Sequence, residues 1–317
     1  LIITDYLRSD PSVQWTYAKQ MGVDHAVIRL PEDKEFDCTN PSHWRLVYER
    51  FSNYGLVPTV LEPMPNALHD SIKAGDAQRD ACIDQVIRMF PIMDRLNIRT
   101  VCLNFMAHVG WSRTSHQLQE RGGAIVTGFR LQDYPADAGQ AISEAELWAN
   151  LSYFLEAVVP EAEKHNIRLA LHPDDPPVSP LGKVSRILTS LQAMQRAVHL
   201  VPSDHLGVTM CQGTFTAMGE NLEEAIAAFA RENKLFFVHF RDVAGDKTDF
   251  RETFHDNGPT DMARIIRLYR ELGISVPIRV DHVPTLAGES NDIPGYATLG
   301  RLFAVGYLKG LLDGARV

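Results

Sequence analysis

Short apolar runs alternate with helix-length stretches along the whole 317-residue chain, and this alternation constrains the fold more than any single motif. Apolar runs at 1–5, 25–30, 56–61, 100–105, 167–171, 205–210, 235–240 and 276–280 read as buried strands. The stretches between them read as helices. These cover 12–21, a segment capped by Ser42 that carries Trp44 and Phe51, 77–96, 143–165, 184–198, 222–232, 261–272 and 296–312. Ser143 and Glu146 form a capping-box pattern at the start of the longest one.

Eight strand–helix units predict an α/β protein whose parallel strands close into a (β/α)8 TIM barrel, with residues 1–317 as one domain. The competing open, doubly wound sheet wants a glycine-rich phosphate loop after an early strand. Neither GxGxxG nor GxxxxGK[ST] occurs. One connection is out of scale. Residues 107–142, after the fourth strand, far exceed the usual span of about 2–6 residues. This insertion, with Trp111, Arg113, Gly122-Gly123 and Tyr134, is expected to act as a lid over the barrel mouth.

Composition narrows the partners. The net charge of −9, without a basic stretch, argues against nucleic acid and anionic membrane. No apolar run approaches the roughly 20 residues of a membrane span. No leader peptide is visible, although the chain begins at Leu1 rather than Met. Cys38, Cys82, Cys102 and Cys211 show no framework spacing and read as reduced thiols of a cytoplasmic protein.

The chemistry gathers at the ends of the last four barrel strands. In Leu169-Ala-Leu-His-Pro-Asp-Asp-Pro-Pro177, Pro173 stops the strand and leaves His172 at its mouth. Cys211, His239 and Asp281 stand at the ends of the next three. Each alone has an ordinary explanation: a strand-ending histidine, a small buried thiol, a satisfied core imidazole, a turn cap. Together they converge, because parallel barrel strands point their C-terminal ends to one face. Two imidazoles, a thiolate and a carboxylate suit a divalent transition metal, whereas magnesium and calcium prefer oxygen alone. Strand alternation puts Arg241 on the side of His239, where its planar fork suits a carboxylate, and Asp174 on the side of His172. His282, beside Asp281, is a candidate general acid or base, and Arg279 points into the barrel.

These residues resemble the mannonate dehydratase family of metal-dependent barrels. The matching pieces are His172-Pro-Asp-Asp-Pro-Pro177, the Cys211 segment, His239-Phe-Arg241, Glu252-Thr-Phe-His255 with Asn257-Gly258, Asp281-His282, and Pro294-Gly-Tyr-Ala297 with Gly300-Arg301. Asn104-Phe-Met106 and Trp111-Ser-Arg-Thr114 belong to the same likeness, which runs from about Val101 to the C-terminus. The resemblance implies Mn2+ or Fe2+ on His172, Cys211, His239 and Asp281, with His282, Tyr296 and Arg241 as catalytic residues. It further implies Asp174, Asn104, Trp111 and Arg113 as contacts to a sugar acid. The implied reaction turns D-mannonate into 2-keto-3-deoxy-D-gluconate, in a homo-oligomer (dimer or tetramer). Two departures fall on the rim of the expected site: Val283 where the family has glycine, and Gln212-Gly-Thr214 in place of Thr-Gly-Ser. A sugar isomerase or epimerase, or a non-catalytic sugar-acid binder, would present much the same metal barrel. Loss of water from the substrate separates the first from these.

Overall fold

The computed structural model describes residues 1–315. In chain order its first half comprises β1 (Ile2–Arg8), α1 (Val13–Gln20), β2 (His25–Arg29), α2 (Pro41–Asn53), β3 (Val57–Leu61), α3 (Asn66–Ala74), α4 (Arg79–Arg95) and β4 (Thr100–Leu103). The insertion contributes β5 (Ser115–Gln119) and β6 (Ile125–Arg130), and α5 (Glu144–Lys164) follows. Next come β7 (Arg168–Leu171), α6 (Leu191–Val198), β8 (Leu206–Cys211), α7 (Gln212–Met218), α8 (Leu222–Arg231) and β9 (Leu235–Phe240). The chain closes with β10 (Val243–Asp246), β11 (Asp249–Glu252), α9 (Met262–Glu271), β12 (Pro277–Val280) and α10 (Thr298–Gly314).

Eight parallel strands close the expected barrel in the order β1-β12-β9-β8-β7-β4-β3-β2. Strands such as β8 and β9 are buried at every position, because helices cover the outer face and side chains fill the inner one. Val27, Val60, Cys102, Ala170 and Phe237 form that inner filling. The larger core lies between barrel and helices, with Trp15, Trp44, Phe90, Phe154 and Tyr269 fully enclosed.

Several expectations are corrected in detail. The helix over 184–198 shrinks to α6, because the Ile187 and Leu188 amides donate to Asp174 Oδ2 and are unavailable to a helix. Ser190 caps what remains, accepting from the Ala193 amide. Asn40, not Ser42, caps α2, with Pro41 at its first position. Helix α3 was not anticipated at all. It is cut off from α4 by Gly75, which adopts φ 67° to end it.

The insertion is the largest difference. Its β5 and β6 join the β10–β11 hairpin in an antiparallel sheet of order β10-β11-β6-β5. Backbone bonds then stitch it to the neighbouring rim: Ile125 pairs with Thr285, Lys183 donates to Ala138 and Ser185 to Ile142. The segment expected as a lid is paired in this way into a roof along the side of the mouth formed by β7, β9 and β12.

Candidate active site

Strand register builds the centre. Strand β7 stops one residue before His172, β8 ends on Cys211, β9 carries His239 as its penultimate residue, and β12 stops one residue before Asp281. These four strands are neighbours, and Cys211 is paired across the sheet with His239. Ligand atoms of His172, Cys211 and His239 therefore lie within 4.8 Å of one another, and Asp281 Oδ2 is 3.6 Å from His239 Nδ1. His172, Cys211 and His239 form one close set, with Asp281 beside His239, and Glu62, Cys102 and His239 form a second.

The surroundings decide how the donors are presented. His172 Nδ1 is 2.6 Å from the Pro173 carbonyl, so that nitrogen carries the proton and Nε2 keeps its lone pair. Glu62 Oε1 stands 3.0 Å from His239 Nε2 and fixes the second ring in the complementary sense. The two facing nitrogens, His172 Nε2 and His239 Nδ1, lie 3.1 Å apart, where a proton or a cation can bridge them. Two imidazoles, a thiol and a carboxylate are a donor set that a divalent cation can share. Charge agrees with this. Three buried arginines (Arg113, Arg241, Arg279) oppose four buried carboxylates (Glu62, Asp175, Glu252, Asp281) around the donors, with the buried Lys73 a further cation along the cavity, and a Cys211 thiolate would add negative charge. The donor set thus fits a divalent transition metal.

Burial alone would raise these carboxyls, but the arginines outweigh it. Arg279 and His239 hold Glu62 well below the usual carboxylate range, and Arg113 and Arg241 do the same to Asp175. Arg241, helped by His282 and Arg113, brings Glu252 down to about 2. Arg279 grips both Glu62 oxygens at 2.8 and 3.0 Å and Asp281 Oδ1 at 2.8 Å, so it ties two sides of the centre together. Arg241 is equally committed: Nη1 donates to Asp175 at 2.8 Å and lies 3.4 Å from Asp281, while Nε is 3.4 Å from Glu252. Among the described residues, its Nη2 and Nε have no hydrogen-bond partner.

A cavity of about 530 Å3 opens over this centre, a size suited to a small ligand. His172, His239, Arg241, Asp281, His282, Tyr296, Asn104 and Trp111 line it as expected. His282 Nδ1 sits 3.0 Å from Glu252 Oε1, Trp111 covers the ring at 4.9 Å, and Tyr296 meets it edge-on at 5.4 Å. Burial, reinforced by Asp281, raises the Tyr296 phenol far above its ordinary range, so it stays protonated.

Two expected substrate contacts lie elsewhere. Asp174 is turned away from the cavity to hold the Ile187 and Leu188 amides, and its neighbour Asp175 takes the place at the wall. Pro173 ends the strand, so alternation no longer applies two residues on. Arg113 is buried behind the wall, where it grips Asp175 at 2.6 Å and Glu252 at 2.5 Å. The side chains of Gln212 and Val283 do not line the cavity: Gln212 donates to the Tyr269 hydroxyl at 3.1 Å, and Val283 packs into the outer core. Both departures still touch the site, since Thr214 donates to Cys211 Sγ at 3.1 Å and Val283 is bridged to Tyr296. Functional residues missed from sequence are Glu62 and the wall on the far side, Asn66, Asp70 and Lys73. Glu62 was findable, since it follows the end of β3 just as Asp281 follows β12.

Barrel and rim together define a (β/α)8 enzyme built around a candidate metal cluster. Solved structures agree on the fold: an L-ribulose 3-epimerase superposes with a TM-score of 0.64 at 14% identity, over 99% of this chain and 95% of that one. A mannonate dehydratase from Streptococcus suis serotype 2 superposes with a TM-score of 0.88 at 26% identity, over 99% and 93% of the two chains. In sequence, the mannonate dehydratase of Streptococcus agalactiae serotype Ia is 33% identical over 296 residues, 84% of each chain. That of Streptococcus suis (strain 05ZYH33) is 30% identical over 322 residues, 92% of this chain and 86% of the relative. Residues 2–137 and 130–316 match the family described as D-mannonate dehydratase (UxuA). The chain belongs to the mannonate dehydratase family of hydro-lyases.

Proposed function

We propose that this chain removes water from D-mannonate to give 2-keto-3-deoxy-D-gluconate at the cavity above His172, Cys211, His239 and Asp281. One observation carries the reading: a histidine beside a carboxylate and a protonated tyrosine share a cavity with the His172–Cys211–His239 cluster and Asp281. Those four residues would hold Mn2+ or Fe2+. The bound ion supplies Lewis acidity that stabilises the negative charge developing on the substrate carboxylate.

His282 takes the proton from the carbon next to that carboxylate. Its Nδ1 stands 3.0 Å from both Glu252 Oε1 and Arg241 Nη1, and in the tautomer that donates to Glu252 its Nε2 is the nitrogen that accepts. Tyr296 gives its proton to the departing hydroxyl on the next carbon, so that C–H and C–O bonds break and water leaves as the carbon–carbon double bond forms. The resulting enol rearranges to the 2-keto acid. Trp111 shelters His282 from solvent, and the free Nη2 of Arg241 is the guanidinium donor left for the substrate. The four unpaired cysteines support a reducing, cytoplasmic setting, and Leu299 and Phe303, exposed on α10, offer apolar surface for the dimer or tetramer of this reading.

The test is to incubate Mn2+-loaded protein with D-mannonate and assay for 2-keto-3-deoxy acid. His282→Asn should keep its metal and bind substrate, yet turn over about 100-fold more slowly or worse. Product formed without loss of water would replace the dehydratase by an isomerase or epimerase. Loss of metal from His282→Asn would make His282 a ligand instead of a base.

A further inference from the structure

We propose that helix α3 forms the subsite for the far hydroxyl end of the sugar acid, with Lys73 and Asp70 as its specificity-determining residues. This rests on the dehydratase reading. Asn66, Asp70 and Lys73 stand at i, i+4 and i+7 of α3, so they share one face, and all three line the cavity above the metal cluster. Strand β3, which leads into α3, lies across the barrel from β9 and its His239. The reacting end of the acid belongs at the donor cluster, so α3 faces its other end.

The chemistry of the face matches that end. Lys73 is 3% exposed, and its ammonium lies 3.0 Å from Asp70, whose own side chain is largely in solvent. Burial lowers the Lys73 pKa in spite of Asp70, the mark of a cation short of acceptors. Of the other cations at the wall, Arg279 is engaged by Glu62 and Asp281 and Arg29 by Glu32, while the free Nη2 of Arg241 belongs to the reacting end beside His282. A carboxylate placed here would be repelled by Asp70. Hydroxyls both donate and accept, and they meet an ammonium that donates, a carboxylate that accepts and an amide that does both.

The experiment uses metal-loaded wild type, Lys73→Met and Asp70→Asn. Each is titrated calorimetrically with D-mannonate and with the four-carbon aldonic acid of the same configuration at its second and third carbons. Wild type should bind the six-carbon acid about 10- to 100-fold more tightly. Lys73→Met should erase most of that preference, leaving affinity for the short acid and metal content unchanged. Asp70→Asn, a substitution at an exposed carboxylate, should narrow the preference in the same direction. Equal weakening toward both acids would put Lys73 at the carboxylate end and overturn the proposal, as would an undiminished preference in both variants. Wild type that shows the preference but yields no 2-keto-3-deoxy acid would refute the proposed reaction and leave the subsite standing. Failure to bind either acid would overturn both.

Discussion

Gly213 shows how closely the centre is packed at the scale of single residues. It sits in α7, where alanine would ordinarily add about 0.5–1 kcal/mol of helix stability. Here a Cβ would stand 2.6 Å from Arg241 Nε and 2.9 Å from its Cγ, and Arg241 is held on its other edges by carboxylates. Gly213→Ala should therefore lower the melting temperature and cut kcat about tenfold or more, by displacing Arg241, whose Nη1 lies 3.0 Å from His282 Nδ1. Unchanged melting and turnover would show that Arg241 can yield. The sequence made the donors legible because each stands at or just past the end of an apolar run that reads as a barrel strand. It misled at Asp174, where the rule of alternation was carried past Pro173, beyond the reach of the strand that justified it. Arg113 was misread for a different reason: its role depends on Asp175 and Glu252, which are 62 and 139 residues away.

Among the elements, α3 and the roof were hidden from sequence. Pro63 and Pro65 mask the start of α3, and alternation in 107–142 is too short to separate hairpin from loop. Helix α3 also buries His69 between Phe105 and Phe154, with Nε2 lacking a partner. Burial, and then Lys73, holds its pKa well below the ordinary 6.5. The unfolded chain therefore binds this proton more readily than the folded one. Its contribution to stability is intact above about pH 6.5 and lost as pH falls below it, by up to about 1.4 kcal/mol per pH unit. Denaturant unfolding from pH 7 to pH 5 should show a shallower acid loss in His69→Leu, and parallel curves would refute this. For the roof, amides of β6 should exchange slowly even without ligand, since β6 lies inside its sheet. Ligand-dependent protection should concentrate at 107–114, which carries Trp111 but no strand. Fast exchange throughout β6 would restore the expected mobile lid.

For the whole molecule, the barrel was readable because eight apolar runs of matching length leave few alternatives once a phosphate loop is absent. Its centre was only partly readable, because the excess of buried carboxylates over arginines appears only when Glu62 is brought against Arg279 across 217 residues. That excess predicts that metal stabilises the entire fold. Mn2+ at 100 times its Kd should add about 2.7 kcal/mol to unfolding, and a chelator should remove it. A His172→Ala, Cys211→Ala double variant should show no such metal-dependent rise in melting temperature; an equal rise would place the ion elsewhere. The stitched roof has a consequence for traffic. It closes one side of the cavity, whose rim stays open at Asp70 and at His108, Gly110 and Trp111. Sugar acid and keto acid occupy the same cavity over one donor cluster, so inhibition by product should be competitive with substrate.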